Sequence, residues 1–176
     1  VAVLAIARDA AGSIWVSRGD GQGLCRLSGD RAQVYGDELN LPWPSVTALA
    51  ASPSGLLWAG AATGVTCFDG HRFRGFTVSD GLPHNHVTAL CVDRDEAVWV
   101  AGQTAGVCRG EGRRLVPYLP ADGLPSSLTF TVVEDARGDL WLATIGGAAC
   151  WRAGRIVPDE HAAQAADAWL LAGTAA

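Results

Sequence analysis

Tryptophan returns along the chain at Trp15, Trp58, Trp99 and Trp141, at intervals of 43, 41 and 42 residues, and each closes nearly the same phrase. The phrase reads V-L-A-I-A-R-D-A-A-G-S-I-W from Val3, V-T-A-L-A-A-S-P-S-G-L-L-W from Val46, V-T-A-L-C-V-D-R-D-E-A-V-W from Val87 and T-F-T-V-V-E-D-A-R-G-D-L-W from Thr129. A fixed period of this size marks a solenoid or propeller array, and a unit with room for about four short strands fits a propeller blade. The expectation is an all-β chain of β-propeller blades, four four-stranded antiparallel repeats at about 1–45, 46–86, 87–127 and 128–157.

The second unit shows how one blade should form. Val46 to Ala51 is a short apolar run bounded by Ser52-Pro53-Ser54-Gly55, and serine, proline and glycine at those places are type I turn preferences. Leu56 to Ala61 carries the tryptophan, Thr63-Gly64 turns the chain, and Val65 to Phe68 runs into Asp69-Gly70, a strong hairpin signal. Arg72 to Val78 reads as the outer strand. The third unit puts Glu96 where the others have glycine, which predicts a looser turn there. Gly81-Leu82-Pro83 and Gly123-Leu124-Pro125, with Asn40-Leu41-Pro42 as counterpart, carry the chain from one blade to the next. There the first residue tolerates positive φ and the proline stiffens the exit. Each tryptophan sits mid-strand among aliphatic residues and is expected to wedge between adjacent blades.

Composition excludes several classes. A chain of 176 residues with 49% hydrophobic and 18% charged content is folded, and a net charge of −5 with scattered arginines offers no basic stripe to nucleic acid. No apolar run is long enough to span a bilayer, so no membrane contact by this segment is expected. Absence of methionine and a start inside the first phrase point to an excerpt of a longer protein. Cys25, Cys67, Cys108 and Cys150 fall nine or ten residues after the repeat tryptophan and read as the same position of successive units. Neighbouring sheets stack about 10 Å apart, whereas a disulfide needs Cα atoms within about 7 Å, so these should be unpaired buried thiols. Ligands spaced one blade apart would also diverge from any zinc ion, and no metal or cofactor is expected.

The recurring D-x-x-G-x-L-W with small residues after it, then G-V or G-L, then G-L-P before a V-T-A-L start, resembles the two-component regulator propeller repeat. The resemblance covers residues 1 to about 157. Asn40 in place of glycine, Glu96 in the turn, and Trp58-Ala59-Gly60-Ala61 and Trp141-Leu142-Ala143-Thr144 in place of W-x-G-T depart from the pattern locally. The resemblance implies a periplasmic or extracytoplasmic sensor propeller of a membrane-bound regulator, such as a hybrid histidine kinase. Its partners would be a small-molecule ligand such as a carbohydrate, the remaining propeller blades, and the signalling domains of the parent chain. It also implies seven or more blades, roughly 290 residues at this period. The present chain is therefore expected to form an open, curved arc. Residues 158–176 leave the repeat, either as an alanine-rich helix stopped at Gly173 or as a decayed fifth copy around Trp169. Trp169 follows Trp141 by only 28 residues, which favours the helix.

A functional residue should break the repeat. The main break is Pro83-His84-Asn85-His86 in the loop entering the third blade, with Trp43-Pro44-Ser45 and Ser126-Ser127 in the equivalent loops. Trp43, His84, Asn85, His86 and Ser126 are thus the candidate ligand-binding residues on a blade-entry face. His84 and His86 could also serve as metal ligands or a base, although ordinary loop substitution is the simpler reading. Glu134, Asp135, Asp93, Asp95 and Glu96 recur in the turns on the opposite face and read as structural. No Ser-His-Asp set, phosphate loop or calcium loop is present, so no catalytic residue is assigned. The alternative is a propeller enzyme of the streptogramin lyase or lactonase type using a metal through His84 or His86.

Overall fold

The computed structural model describes residues 2–19, 23–36, 45–111 and 114–159; Trp43 and the 160–176 tail lie outside the described residues. Four antiparallel sheets follow one another along the chain. Blade 1 holds β1 (Val3–Arg8), β2 (Ile14–Arg18), β3 (Leu24–Ser28) and β4 (Arg31–Tyr35); blade 2 holds β5 (Val46–Ala51), β6 (Leu57–Ala61), β7 (Gly64–Phe68) and β8 (Phe73–Phe76). Blade 3 holds β9 (Val87–Val92), β10 (Val98–Gly102), β11 (Val107–Glu111) and β12 (Arg114–Tyr118); blade 4 holds β13 (Thr129–Glu134), β14 (Leu140–Thr144), β15 (Gly147–Arg152) and β16 (Arg155–Pro158). Each sheet is a simple meander in chain order. The expected propeller-blade architecture is the observed one.

The outer strand of blade 2 is shorter than the Arg72–Val78 run of the sequence reading. Thr77 ends it by accepting from the Ser79 amide at 3.3 Å, while its own amide donates to Asp80 at 2.9 Å, starting a 3-10 turn at Val78–Asp80. The same turn recurs at Pro120–Asp122, and Gly81 and Gly123 close the two at φ 101°.

Inner strands of successive blades lie side by side, β1 by β5, β5 by β9 and β9 by β13. Thr88 Oγ1 donates to the Thr129 carbonyl at 2.6 Å across one of these seams. The apolar interior is split into three layers, one per seam. Trp15, Tyr35, Leu57 and Phe68 fill the first; Val65, Val87, Val98, Val100 and Cys108 the second; Trp99, Val132, Leu140, Leu142 and Ile156 the third. In each layer the tryptophan face of one blade meets the opposite face of the next. Trp15 sits edge-on to Phe68 at 5.7 Å and Trp99 edge-on to Trp151 at 5.1 Å. Trp141 has no described blade ahead of it.

Two expectations are corrected. The Glu96 turn is not looser. Glu96 takes the left-handed conformation usually left to glycine, φ 65°, and its amide still reaches the Asp93 carbonyl at 3.0 Å, as Gly55 reaches Ser52. The four cysteines are not one position either. Cys67 and Cys150 stand opposite Trp58 and Trp141, but Cys25 and Cys108 stand opposite Val16 and Val100, on the other face of the sheet. Longer β2–β3 and β10–β11 connections shift the register, so Arg26 and Arg109 face the tryptophans of blades 1 and 3 instead. All five cysteines are unpaired, but Cys25 and Cys67 are half-buried instead of the buried thiols expected of them.

Candidate functional site: the blade-entry loops

The entry loops run from the outer strand of one blade to the inner strand of the next, and two of them, 77–86 and 119–128, are described throughout. Each is held by side chains of its own that accept from its backbone amides. Leu82 and Leu124 are buried under the loop at 3% exposure each, and the Leu119 amide donates to Asp122 at 2.8 Å as Thr77 does to Asp80. Asn85 Oδ1 accepts the Val78 amide at 2.9 Å. His84 Nδ1 accepts the His86 amide at 2.9 Å, and Ser126 Oγ accepts the Leu128 amide at 3.3 Å, so histidine and serine do the same turn-closing work in successive blades.

Hairpin loops of the same blades reach back to these segments. Gln103 N–H donates to the His86 carbonyl at 3.2 Å and Ile145 N–H to the Leu128 carbonyl at 3.1 Å. Gly106 N–H crosses the seam to the Ser127 carbonyl at 2.7 Å. With Nδ1 accepting, the His84 ring carries its hydrogen on Nε2, the edge it has left for another group. The His86 ring and the Gln103 side chain make no hydrogen bond among the described residues. The structure thus brings His84, Asn85 and His86 together, gives Asn85 a structural bond, and places Ser126 one blade further on. The chemistry on offer is hydrogen bonding from half-buried polar groups. Among the described residues no cluster of three or more His, Cys, Asp or Glu could hold a metal.

The opposite face carries a device the sequence reading missed. Asp9, Asp93 and Asp135 each accept the indole N–H of the tryptophan six residues later, at 2.9, 2.9 and 3.1 Å. Their other oxygens cap the turn amides of Ser13, Ala97 and Asp139. The signal was an aspartate at a fixed distance before three of the four tryptophans. Burial alone would raise Asp9, but the Trp15 indole, the Ser13 amide and Arg26 outweigh it and hold its carboxyl below the usual range. Trp141 above all holds Asp135 down in the same way. Adjacent turns are clasped, Glu96 accepting from the Ser54 amide and hydroxyl at 2.9 and 2.7 Å, and Arg94 pairing with Glu134 at 2.7 Å. The contacts give Asp93, Glu96, Glu134 and Asp135 the expected structural role. Burial pushes the Cys108 thiol up to about 12 and, with help from Asp69, the Cys67 thiol up to about 11, which removes both as nucleophiles near neutral pH.

Residues 81–104, which run from the entry loop of blade 3 through Trp99, match the family model described as Two component regulator propeller. A comparison with the curated proteins finds no match. Among solved structures the chain resembles the extracellular domain of a putative hybrid two component system from B. thetaiotaomicron, with TM-score 0.76 and 19% identity over 90% of this chain and 23% of that one. It also resembles virginiamycin B lyase from Staphylococcus aureus, with TM-score 0.70 and 16% identity over 90% of this chain and 56% of that one. A third likeness is a gluconolactonase from Xanthomonas campestris, with TM-score 0.53 and 22% identity over 79% of this chain and 52% of that one. The chain spans about a quarter to a little over half the length of these structures, which share its propeller fold. No helix among the described residues is long and apolar enough to cross a membrane.

Proposed function

We propose that the chain is part of the sensor propeller of a two-component regulator, lies outside the cytoplasm, and binds a small ligand such as a carbohydrate on its blade-entry loops. The observation that carries this reading is the rigid frame beneath His84, His86 and Gln103. The His86 amide is already spent on His84 Nδ1 and its carbonyl on the Gln103 N–H, so ligand contacts would cost little ordering of the loop. Polar side chains on a fixed frame suit the dense hydroxyls of a sugar. The family match across 81–104 and the extracellular domains among its structural likenesses support the placement. Further blades and the signalling domains of the parent chain would be its partners. A thermal-shift panel of mono- and oligosaccharides tests it, since a ligand that binds only the native state raises the unfolding temperature. A saturable shift lost in His86→Ala and Gln103→Ala is expected; a shift unchanged in both variants removes the entry face as the site.

The fold likeness to virginiamycin B lyase keeps a second reading, an enzyme acting through His84 or His86. Turnover of a cyclic ester substrate that is abolished by His84→Ala or His86→Ala would put this reading first.

A further inference from the structure

Blade 2 departs from the rule that ties each tryptophan to an aspartate. In the place of Asp9, Asp93 and Asp135 it has Ser52, whose Oγ lies 3.1 Å from the Leu56 amide and 2.7 Å from Ser54 Oγ. Among the described residues Trp58 Nε1 is buried without an acceptor. The neighbour across the strand is reduced as well. Arg26 and Arg109 lie over Trp15 and Trp99 at 5.4 and 5.7 Å, whereas the partner of Trp58 is Cys67. A cavity of about 140 Å³ lies between blades 2 and 3, with Trp58 in its wall. Leu56, Trp58, Phe76, Val98 and Leu115 wall it, and the exposed Glu96 and Arg114 form its polar edge.

A buried donor without an acceptor is rare in folded chains and calls for a partner from outside. We propose that this cleft is a binding site for a compact, neutral ring of five or six atoms bearing one hydrogen-bond acceptor, which takes the Trp58 indole N–H. Size sets the ring, because an apolar cavity of about 150 Å³ holds a molecule like benzene. The walls set its apolar body, with Trp58 and Phe76 centred 5.7 Å apart. Charge is excluded at both signs. A charged group would have to give up its hydration among Leu56, Phe76, Val98 and Leu115, and the opposite charges of Glu96 and Arg114 at the rim give no net preference for either sign. This site lies on the blade seam near the Glu96 turn, away from the entry loops, and stands independently of the ligand assigned to them.

Cyclohexanone is the probe, titrated into the 176-residue chain while the indole N–H signals are followed by NMR. A saturable shift confined to the Trp58 indole is expected. Ser52→Asp supplies the tethered acceptor that the other three blades already carry, so it should raise the unfolding temperature and abolish the shift. Trp58→Phe, followed at the Leu56 and Val98 amides, keeps the ring and loses the donor, and should weaken binding about tenfold, the worth of one hydrogen bond. No saturable shift up to the solubility limit, an ordered water on Trp58 Nε1 that cyclohexanone does not displace, or unchanged affinity in Ser52→Asp would each overturn the proposal.

Discussion

At the scale of single residues, Asp93 is the most heavily committed side chain. At 3% exposure it accepts from the Asp95 and Ala97 amides, the Trp99 indole and Arg109. Its removal strands a buried indole N–H and an arginine together, and Asp93→Ala should cost on the order of 3 kcal/mol in denaturant unfolding. Ser52→Asp is the converse change, restoring the missing bond of blade 2, and should add about 1 kcal/mol. The carboxylates also fix the response to acid. Asp9, Glu96 and Asp135 are all held below their ordinary values, Asp9 by Trp15, Ser13 and Arg26 against its burial, Glu96 chiefly by Ser54 and Asp135 chiefly by Trp141. A depressed carboxyl contributes stability that is present above its unfolded value and is lost as pH falls toward the folded one. The unfolding temperature should therefore be flat near neutrality and drop below about pH 4, less steeply in Asp9→Asn.

Within each blade, turn length decides which residues face the seam. In blade 3 the connection 102–106 joins Ala101 to Val107, and Gly106 sits at φ 78° where an added Cβ would lie 2.3 Å from the Tyr118 carbonyl oxygen. Gly106→Ala must both strain the backbone and push the outer strand away, breaking the bond to Ser127, and should destabilise the chain by about 3 kcal/mol or more. The Glu96 turn gives a finer comparison by thermal unfolding. Glu96→Ala loses the Ser54 clasp and keeps the left-handed strain, while Glu96→Gly loses the clasp and relieves it, so the glycine variant should be the more stable by about 1 kcal/mol. These turns also show where sequence reading ends. The four blades, their strands and the crossing Gly-Leu-Pro were legible because period and turn residues are local. The splitting of the cysteines was not, because Cys67 and Cys108 both lie nine residues after tryptophan and only the hairpin length puts them on opposite faces. His84 breaks the repeat in residue type, yet its Nδ1 does what Ser126 Oγ does, a likeness of geometry that residue type conceals. The cleft beside Trp58 is walled by Leu56 and Phe76 from one blade and Val98 and Leu115 from the next, so it shows only when the two are packed together.

For the whole molecule the two ends decide the behaviour. On blade 1 a straight cross-strand row, Ile6, Val16, Cys25 and Val34, looks outward, with Ile6 66% and Val34 51% exposed. On blade 4 the outward row is Val133, Trp141, Cys150 and Val157, with Val133 49% and Val157 42% exposed. The exposed ends of these rows are not packed on one another, although Cys150 is buried within its own, so the four blades form an open arc, and small-angle scattering should return an elongated curve instead of a closed disc. The rows are the two halves of a seam. Blade 4 presents a tryptophan face, with Cys150 opposite Trp141 as Cys67 is opposite Trp58, and blade 1 presents an aliphatic face of the kind that receives a tryptophan, as Leu140 and Leu142 receive Trp99. Exposed apolar rows of this kind seek cover, from further blades where they are present and from other copies of the chain where they are not. The contact between copies would be head to tail, which either closes a ring or continues as a filament. Sedimentation should accordingly show association that grows with concentration. The double variant Ile6→Lys, Val34→Lys keeps only its tryptophan face, so it should stay monomeric alone and shorten the assemblies of the unaltered chain when mixed with it. Association undiminished in that variant would mean that the end faces of the arc are not blade seats.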